Sequence, residues 1–393
     1  MENRQSFSVF VPTRWLFGEG QLSHLHEQIL PGKKALIIIS NGKSTRANGY
    51  LERTEKELHM AGVETAVFDK VQANPIQTTV MEGAAAAREF GADFLVALGG
   101  GSVMDSAKAI AVMAVNDGVL WDYIAGGTGK GLPIRNQPLP MVDITTTAGT
   151  GSEVDCGGVI TNSETHEKCA VIHPALFPVL SIVDPELMAT VPPAFTAYQG
   201  FDALFHSTEC YISGRGNLMS DMVASTAIQN VSRYLARAVA DGKDREARKH
   251  VAFGNTLSGY SMMTGSCTSE HSLEHALSAY HENLPHGAGL IMISLAYYET
   301  FINKHCCDER FIDMARFMGM EDASRPEDFL TALAKLQKDC GVDDLKMSSY
   351  GIQEEEFPKF AKNAREVMGG LFAADPAELS DEDIIAIYQK SYR

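Results

Sequence analysis

The feature that most limits how this chain can fold is a change of pattern near residue 190. Before it, short apolar runs alternate with stretches of helical periodicity, and after it nearly every long segment has helical periodicity. Alternating strands and helices are typical of a parallel sheet covered on both faces, whereas consecutive helices predict an all-α domain. We therefore predict an α/β domain over residues 1–190 and a helical domain over residues 191–393. The boundary lies where Val191, Pro192 and Pro193 interrupt the chain.

Periodicity and breaker residues place the elements within each domain. The predicted strands of the first domain cover residues 35–40, 65–68, 93–98 and 141–145, and its helices cover 50–61, 78–90 and 105–115. The predicted helices of the second domain cover 194–212, 218–240, 245–263, 290–301, 327–340, 354–366 and 381–391.

Composition excludes several classes of protein. The 393 residues include 33 Lys and Arg against 50 Asp and Glu, a net charge of −17, which argues against binding to nucleic acid or to anionic membranes. No apolar run approaches the roughly 18 residues of a transmembrane helix, and the first residues lack a signal-peptide pattern. Seven cysteines without a Cys-x-x-Cys pair are typical of reduced thiols, so we expect a cytoplasmic protein.

Two polar loops follow predicted strands. The first runs Gly99-Gly100-Gly101-Ser102 and opens a helix, which suits a pyrophosphate because glycines permit close approach and a helix N-terminus favours anions. It matches neither Gly-x-Gly-x-x-Gly nor a P-loop, and a simple glycine-rich turn is the alternative. The second loop, residues 145–153, is rich in threonine and suits either a cofactor or a turn without a ligand.

Four of the 12 histidines, His271, His275, His281 and His286, fall within 16 residues. Upstream, Asp202 and His206 are spaced to share one face of a predicted helix, as are His271 and His275 on another. His286 follows Pro285 near the start of the next helix. One carboxylate with several imidazoles suits a divalent first-row metal ion, although any single histidine here is equally compatible with a structural role.

Taken together, these segments resemble the iron-dependent (group III) alcohol dehydrogenases over nearly the whole chain. The similarity includes Gly99–Lys108, Thr146–Val154, Lys168, the run Asp184–Leu187, the segment from Gly200 to His206, and His271 with Pro285-His286-Gly287. It implies a Rossmann-like dinucleotide-binding domain, a helical domain, and an active site in the cleft between them.

The resemblance also implies a role for each matching residue. Asp202, His206, His271 and His286 would hold the metal, with Fe²⁺ the first choice and Zn²⁺ the alternative, and His275 would lie near the nicotinamide without binding the metal. Because imidazole titrates near neutral pH, we expect His275 to be the catalytic proton relay, with His281 a second choice. The implied residues for NAD(P) are Ser40, Asn41, Asn74, Gly99, Gly100, Gly101, Ser102, Asp105, Thr146, Thr147, Thr150, Lys168 and Leu187.

The sequence also departs from the family pattern. The loop between His275 and His286 is one residue longer than in many members, and Asp155 replaces a more usual threonine. The end of the first predicted strand lacks the carboxylate that bonds the 2′-hydroxyl of NAD, while Lys43 and Ser44 lie there instead. This favours NADP, with a solvated loop lysine as the alternative.

The predicted function is hydride transfer between a small alcohol or aldehyde and NAD(P), with a divalent ion acting as Lewis acid. The predicted oligomer is a homodimer or larger. A zinc-dependent glycerol dehydrogenase or a dehydroquinate synthase-like enzyme would share the scaffold, and a binding protein without catalysis is a further alternative. Phe201, Phe205 and neighbouring apolar residues suit either a substrate wall or core packing.

Overall fold

The computed structural model describes residues 6–393, which divide into two compact units. The α/β unit comprises Val11–Thr147 and Gly151–Ala189. The helical unit runs from Thr190 to Arg393 and also includes residues 148–150 and a segment ending at Phe10. No helix among the described residues is long and apolar enough to cross a membrane.

The α/β unit contains a six-stranded parallel sheet in the order β1-β8-β5-β4-β2-β3, and a separate antiparallel hairpin of β6 and β7. The strands are β1 Arg14–Phe17, β2 Lys34–Ser40, β3 Glu64–Val71, β4 Phe94–Gly99, β5 Met141–Thr145, β6 Gly157–Asn162, β7 Glu167–Ile172 and β8 Leu180–Val183. The predicted fold class, a parallel α/β domain followed by a helical domain, is confirmed.

The strand order determines where the sheet can receive a ligand. Strand β2 pairs with β3 on one side and with β4 on the other, and all three strands are parallel. After β3 the chain crosses back over β2, so the later strands are added on the opposite side of β2, and the strand order changes direction between β2 and β4. In open α/β sheets, ligands bind beyond the carboxyl ends of the strands at such a reversal. The two segments that emerge there begin after Ser40 and after Gly99.

Four helices belong to the α/β unit and nine to the helical unit, counted over residues 6–393. The first group is α1 Ser44–Ala47, α2 Tyr50–Met60, α3 Gln77–Phe90 and α4 Gly101–Met113. The second is α5 Pro193–Ile212, α6 Leu218–Ala240, α7 Arg245–Thr264, α8 Ser269–Tyr280, α9 His286–Asn303, α10 Asp308–Phe317, α11 Glu327–Asp339, α12 Phe357–Met368 and α13 Asp381–Ser391.

Several element boundaries differ from prediction. Helix α4 begins at Gly101 rather than at residue 105, since glycine and serine have weak helix propensity and hide the first turn in the sequence. Helix α9 begins at His286 rather than at residue 290 for a similar reason, as two glycines occupy its first turn. The pattern also did not reveal α10 or strands β1, β6, β7 and β8.

Candidate active site

Asp202 and His206 lie on α5, a helix that begins at Pro193, where proline's fixed φ suits the first helical turn. The two residues are one turn apart, and both are buried, with 4% and 6% of their surface exposed. His206 Nε2 lies 3.6 Å from Asp202 Oδ1. The predicted one-face spacing therefore brings a carboxylate and an imidazole together inside the helical unit.

Two further imidazoles reach the same oxygen from other helices. His271 on α8 places Nε2 3.4 Å from Asp202 Oδ1, and His286, the first residue of α9, places Nε2 3.5 Å from it. The rings of His206 and His271 stack with centroids 4.3 Å apart. The structure thus brings together all four side chains that the sequence proposed as metal ligands.

The spacing suits ligands of one ion for Asp202, His271 and His286, whose ligand atoms lie within 4.8 Å of one another, and His206 lies as close to Cys267 and His271. Nitrogen and oxygen ligands bind first-row ions at about 2.0–2.2 Å, so two ligands of a tetrahedral ion lie about 3.4 Å apart. The three distances from Asp202 Oδ1, 3.4, 3.5 and 3.6 Å, are close to that value. One carboxylate and three imidazoles also form a donor set typical of catalytic Fe²⁺ or Zn²⁺ sites.

Electrostatics within this cluster favour an ionised aspartate surrounded by imidazoles. Burial alone would raise the pKa of Asp202, but His206, His286 and His271 hold it well below its usual value. Burial lowers the pKa of His206 to about 3, against the opposing effect of Asp202. His206 is therefore a neutral ring at physiological pH, which is the form that binds a metal ion. For His271, burial opposes the charged form, but Glu209 and Asp202 raise its pKa well above the usual value.

His275 lies on α8 one turn after His271, with its ring centroid 5.2 Å from that of His286 and 6.3 Å from that of His271. It is therefore beside the four-residue cluster, as the sequence suggested. His281 follows the end of α8, and its Nε2 lies 3.0 Å from Glu356 Oε2. This contact gives His281 a partner outside the cluster.

Two buried glutamates near the cluster were missed in the sequence. Glu209 Oε1 contacts Nδ1 of His271, and Glu274 Oε2 contacts Nδ1 of His286. A spacing signal was present, since Glu209 follows Asp202 by seven residues, two turns of one helix face. Phe201 and Phe205, by contrast, are fully buried, with ring centroids 5.7 Å apart, and belong to the core rather than to a substrate wall.

In the α/β unit, Gly100 separates β4 from α4 and forms the cap of the helix. A Cβ atom on Gly100 would lie 2.7 Å from Thr147 Oγ1, so only glycine permits the threonine-rich loop to pass so closely. The structure thus brings two groups of predicted cofactor residues, Gly99–Ser102 and Thr146–Thr147, to adjoining positions. Thr150 is assigned to the helical unit.

Behind this loop lies a buried charged cluster. Lys108 on α4 is fully buried, and its Nζ lies 2.5 Å from Asp155 Oδ1, with Ser152 Oγ at 2.7 Å. Asp105, predicted to bind cofactor, accepts hydrogen bonds from Ser152 Oγ at 2.8 Å and from the Val159 N–H at 3.1 Å. Asp155, the residue that departs from the family pattern, therefore pairs with a lysine of the family motif.

The structure also joins Asn74 and Lys168, which are 94 residues apart in the chain. Lys168 Nζ donates to Asn74 Oδ1 at 3.3 Å, and Asn74 has a left-handed backbone with φ 51°. Leu187, another predicted cofactor residue, is 1% exposed and lies in the hydrophobic cluster beneath the sheet with Leu98, Ile144 and Ile182. Its side chain is therefore occupied by core packing.

A pocket at the end of β2 is lined by Ser40, Asn41, Gly42, Lys43, Arg46, Ala47 and Asp69. The sequence had proposed Ser40, Asn41 and Lys43 for this region. Arg46 is an addition, and its Nη2 lies 2.8 Å from Asp69 Oδ2. Two cations and one carboxylate therefore face the place predicted for the ribose of the cofactor.

Comparison with known proteins agrees with this geometry. The family model described as iron-containing alcohol dehydrogenase matches residues 12–185, and the model of its C-terminal region matches residues 196–392. The chain belongs to the iron-containing alcohol dehydrogenase family. Membership makes it an alcohol dehydrogenase, an oxidoreductase acting on CH–OH groups, and implies a metal ion and an NAD(P) cofactor.

Relatives of this alcohol dehydrogenase match it over most of its length. It is 33% identical to 1,3-propanediol dehydrogenase of Klebsiella pneumoniae, over 98% of this chain and 99% of that protein. It is 33% identical to NAD-dependent methanol dehydrogenase of Bacillus methanolicus, over 91% and 93%. The crystal structure of an archaeal alcohol dehydrogenase from a Red Sea brine pool superposes with a TM-score of 0.93 at 34% identity, covering 99% of each chain.

Proposed function

We propose that this alcohol dehydrogenase oxidises small primary alcohols, or reduces the corresponding aldehydes, with NAD(P) and one divalent ion held by Asp202, His206, His271 and His286. The observation that carries the proposal is the approach of three imidazole Nε2 atoms to one carboxylate oxygen, at 3.4, 3.5 and 3.6 Å. Relatives named for propanediol and methanol support a small alcohol as substrate. We propose Fe²⁺ as the ion, with Zn²⁺ as the alternative for the same ligands.

The protein residues have separate tasks in this proposal. A bound divalent ion supplies Lewis acidity to the alcohol oxygen, and the hydride chemistry belongs to the nicotinamide. Asp202, His206, His271 and His286 would hold the ion that supplies this chemistry. His275, whose ring lies 5.2 Å from that of His286, carries the hydroxyl proton away, because imidazole exchanges protons near neutral pH.

For the cofactor, we propose that Gly99, Gly100, Gly101 and Ser102 hold the pyrophosphate at the N-terminus of α4. Gly100 supports this assignment, because its lack of a side chain lets Thr147 of the second predicted cofactor loop lie directly against the N-terminus of α4. Asn74 and Lys168 form a joined pair suited to the adenosine half. Homodimer formation and a cytoplasmic location remain predictions from the sequence.

We further propose that the pocket after β2 favours NADP. Lys43 and Arg46 line it, and a guanidinium can bind a phosphate with two hydrogen bonds. Asp69 opposes a preference for NADP, because its Oδ2 already accepts a hydrogen bond from Arg46 Nη2 at 2.8 Å. Measurement of kcat/KM with each cofactor tests the balance: we expect the higher value with NADP, and a higher value with NAD contradicts the proposal.

The central test replaces Asp202 with alanine. We expect Asp202→Ala to lose both the bound metal and alcohol oxidation, since it removes the one oxygen that three imidazoles surround. Metal content by elemental analysis and NAD(P)H formation from a panel of small alcohols measure the two losses. Full activity of a metal-free Asp202→Ala protein would refute the proposed site.

A further inference from the structure

Two of the three predicted histidine ligands have a buried glutamate behind the ring. Glu209 contacts Nδ1 of His271, and Glu274 contacts Nδ1 of His286, and the side chains of both glutamates are fully buried. The opposite nitrogen of each ring, Nε2, faces Asp202 Oδ1 at 3.4 Å or 3.5 Å. Each ring is therefore held between a carboxylate on one side and the proposed ion position on the other.

The two glutamates are built into the fold differently. Glu209 on α5 also accepts hydrogen bonds from the Thr268 N–H at 2.7 Å and from Thr268 Oγ1 at 3.1 Å, so it also anchors the start of α8. Glu274 lies on α8 itself, between His271 and His275.

The neighbouring helix α9 makes room for Glu274. A Cβ atom on Gly289 would lie 2.7 Å from Glu274 Cγ, so the absence of a side chain at this position lets the glutamate reach its place. Gly289 follows His286 by three residues and therefore lies on the same face of α9. Helix α9 thus carries the imidazole of His286 and, one turn later at Gly289, leaves space for the carboxylate of Glu274 that contacts this imidazole.

His206 provides an internal contrast. Its ring stacks on His271 at 4.3 Å, and among the described residues no side chain forms a hydrogen bond with its Nδ1. Proteins commonly fix a histidine ligand by bonding its second nitrogen to a carboxylate, which selects the tautomer, orients the ring and makes the free nitrogen a better donor. Glu209 and Glu274 give this arrangement to two ligands, whereas His206 has no carboxylate of residues 6–393 behind its ring and instead stacks on His271 and lies beside the Gly149 backbone.

We propose that Glu274 is a positioning residue of the metal centre: it holds His286 with Nε2 toward the ion and thereby sets how tightly the ion is retained. The inference rests on the proposed function, because it assumes that His286 is a ligand. Glu209 has the same task toward His271. Glu274 is the better position to test, since Glu209 also anchors the start of α8 through its hydrogen bonds with Thr268.

The experiment measures release of Co²⁺ from the full-length protein to excess chelator, together with the visible spectrum of bound Co²⁺. Glu274→Gln keeps an oxygen that can accept from Nδ1 but removes the charge, and Glu274→Ala removes both. Glu356→Gln is the matched control, because Glu356 contacts His281 Nε2 at 3.0 Å in the same unit without touching a proposed ligand.

Loss of such a carboxylate partner typically costs about 10–100-fold in metal affinity. If the rate of Co²⁺ binding is unchanged, Glu274→Ala should therefore release Co²⁺ about 10–100-fold faster than wild type. Glu274→Gln should fall between the two, with a smaller change in spectrum, and Glu356→Gln should match wild type. Release from folded Glu274→Ala or Glu274→Gln at the wild-type rate overturns this inference alone. Failure of the wild-type protein to bind one Co²⁺, or retention of Co²⁺ by Asp202→Ala, overturns the proposed metal site itself.

Discussion

Lys108 offers the sharpest test of how the α/β unit supports its cofactor loops. Its Nζ is fully buried and contacts Asp155 Oδ1 at 2.5 Å, Ser152 Oγ at 2.7 Å, the Ser152 carbonyl at 2.8 Å and the Gly157 carbonyl at 3.0 Å. Burial opposes the charge, but Asp155 and Asp105 raise the pKa of the Lys108 ammonium group. The cation therefore joins α4 to the segment 152–157.

Replacement of this lysine by methionine keeps the length of the side chain and removes the charge. Breaking a buried ion pair by removing one partner costs about 3–5 kcal/mol, because the other charge is left buried without compensation. For Lys108→Met we therefore expect the free energy of unfolding of the α/β unit to fall by about 3–5 kcal/mol. With an m-value of about 2.5 kcal/mol/M, the urea midpoint falls by about 1–2 M.

Tryptophan fluorescence reports on this unit selectively. The chain has two tryptophans, Trp15 and Trp121, and both lie in the α/β unit. Lys70→Met is the matched control, since Lys70 pairs with Glu82 at 2.8 Å in an exposed position, and its midpoint should stay at the wild-type value. A double variant, Lys108→Met with Asp155→Asn, should recover part of the loss. A Lys108→Met midpoint equal to that of Lys70→Met would refute the reasoning.

Two further predictions concern single side chains. Burial raises the pKa of Asp143 well above its usual value, so the folded chain keeps a proton that the unfolded chain loses above about pH 4, and the contribution of Asp143 to stability falls as pH rises from there. Asp143→Asn lacks this carboxyl group, so the Tm of the variant should rise relative to that of wild type as pH rises. If the Tm of the variant instead falls relative to wild type as pH rises, Asp143 is ionised and paired with Lys108. His275→Ala should keep the metal but reduce kcat by about 100-fold or more, with a changed pH profile. Unchanged rates across pH 6–9 would exclude His275 from proton transfer.

Local sequence patterns were enough to predict much of the fold. Strand β5 and helices α6 and α13 have the predicted limits, because a buried apolar run or a long amphipathic repeat is a local signal. Strands β1 and β8 have four residues each, which is too short for a period to show. They form because the parallel sheet offers them partners, and such partners are invisible along the chain.

The candidate site divides in the same way. Two features of the site are properties of single helices: Asp202 and His206 share one helix face, and His286 follows Pro285 near a helix start. The sequence alone was therefore enough to predict these positions. Only the tertiary structure decided that α5, α8 and α9 bring Nε2 of His206, His271 and His286 within 3.4–3.6 Å of Asp202 Oδ1.

The tertiary structure likewise placed Glu274 behind His286 and opened space for it at Gly289. The physical reason is that a helix specifies which residues share a face through its own periodicity, whereas the contact of two faces depends on how several helices pack.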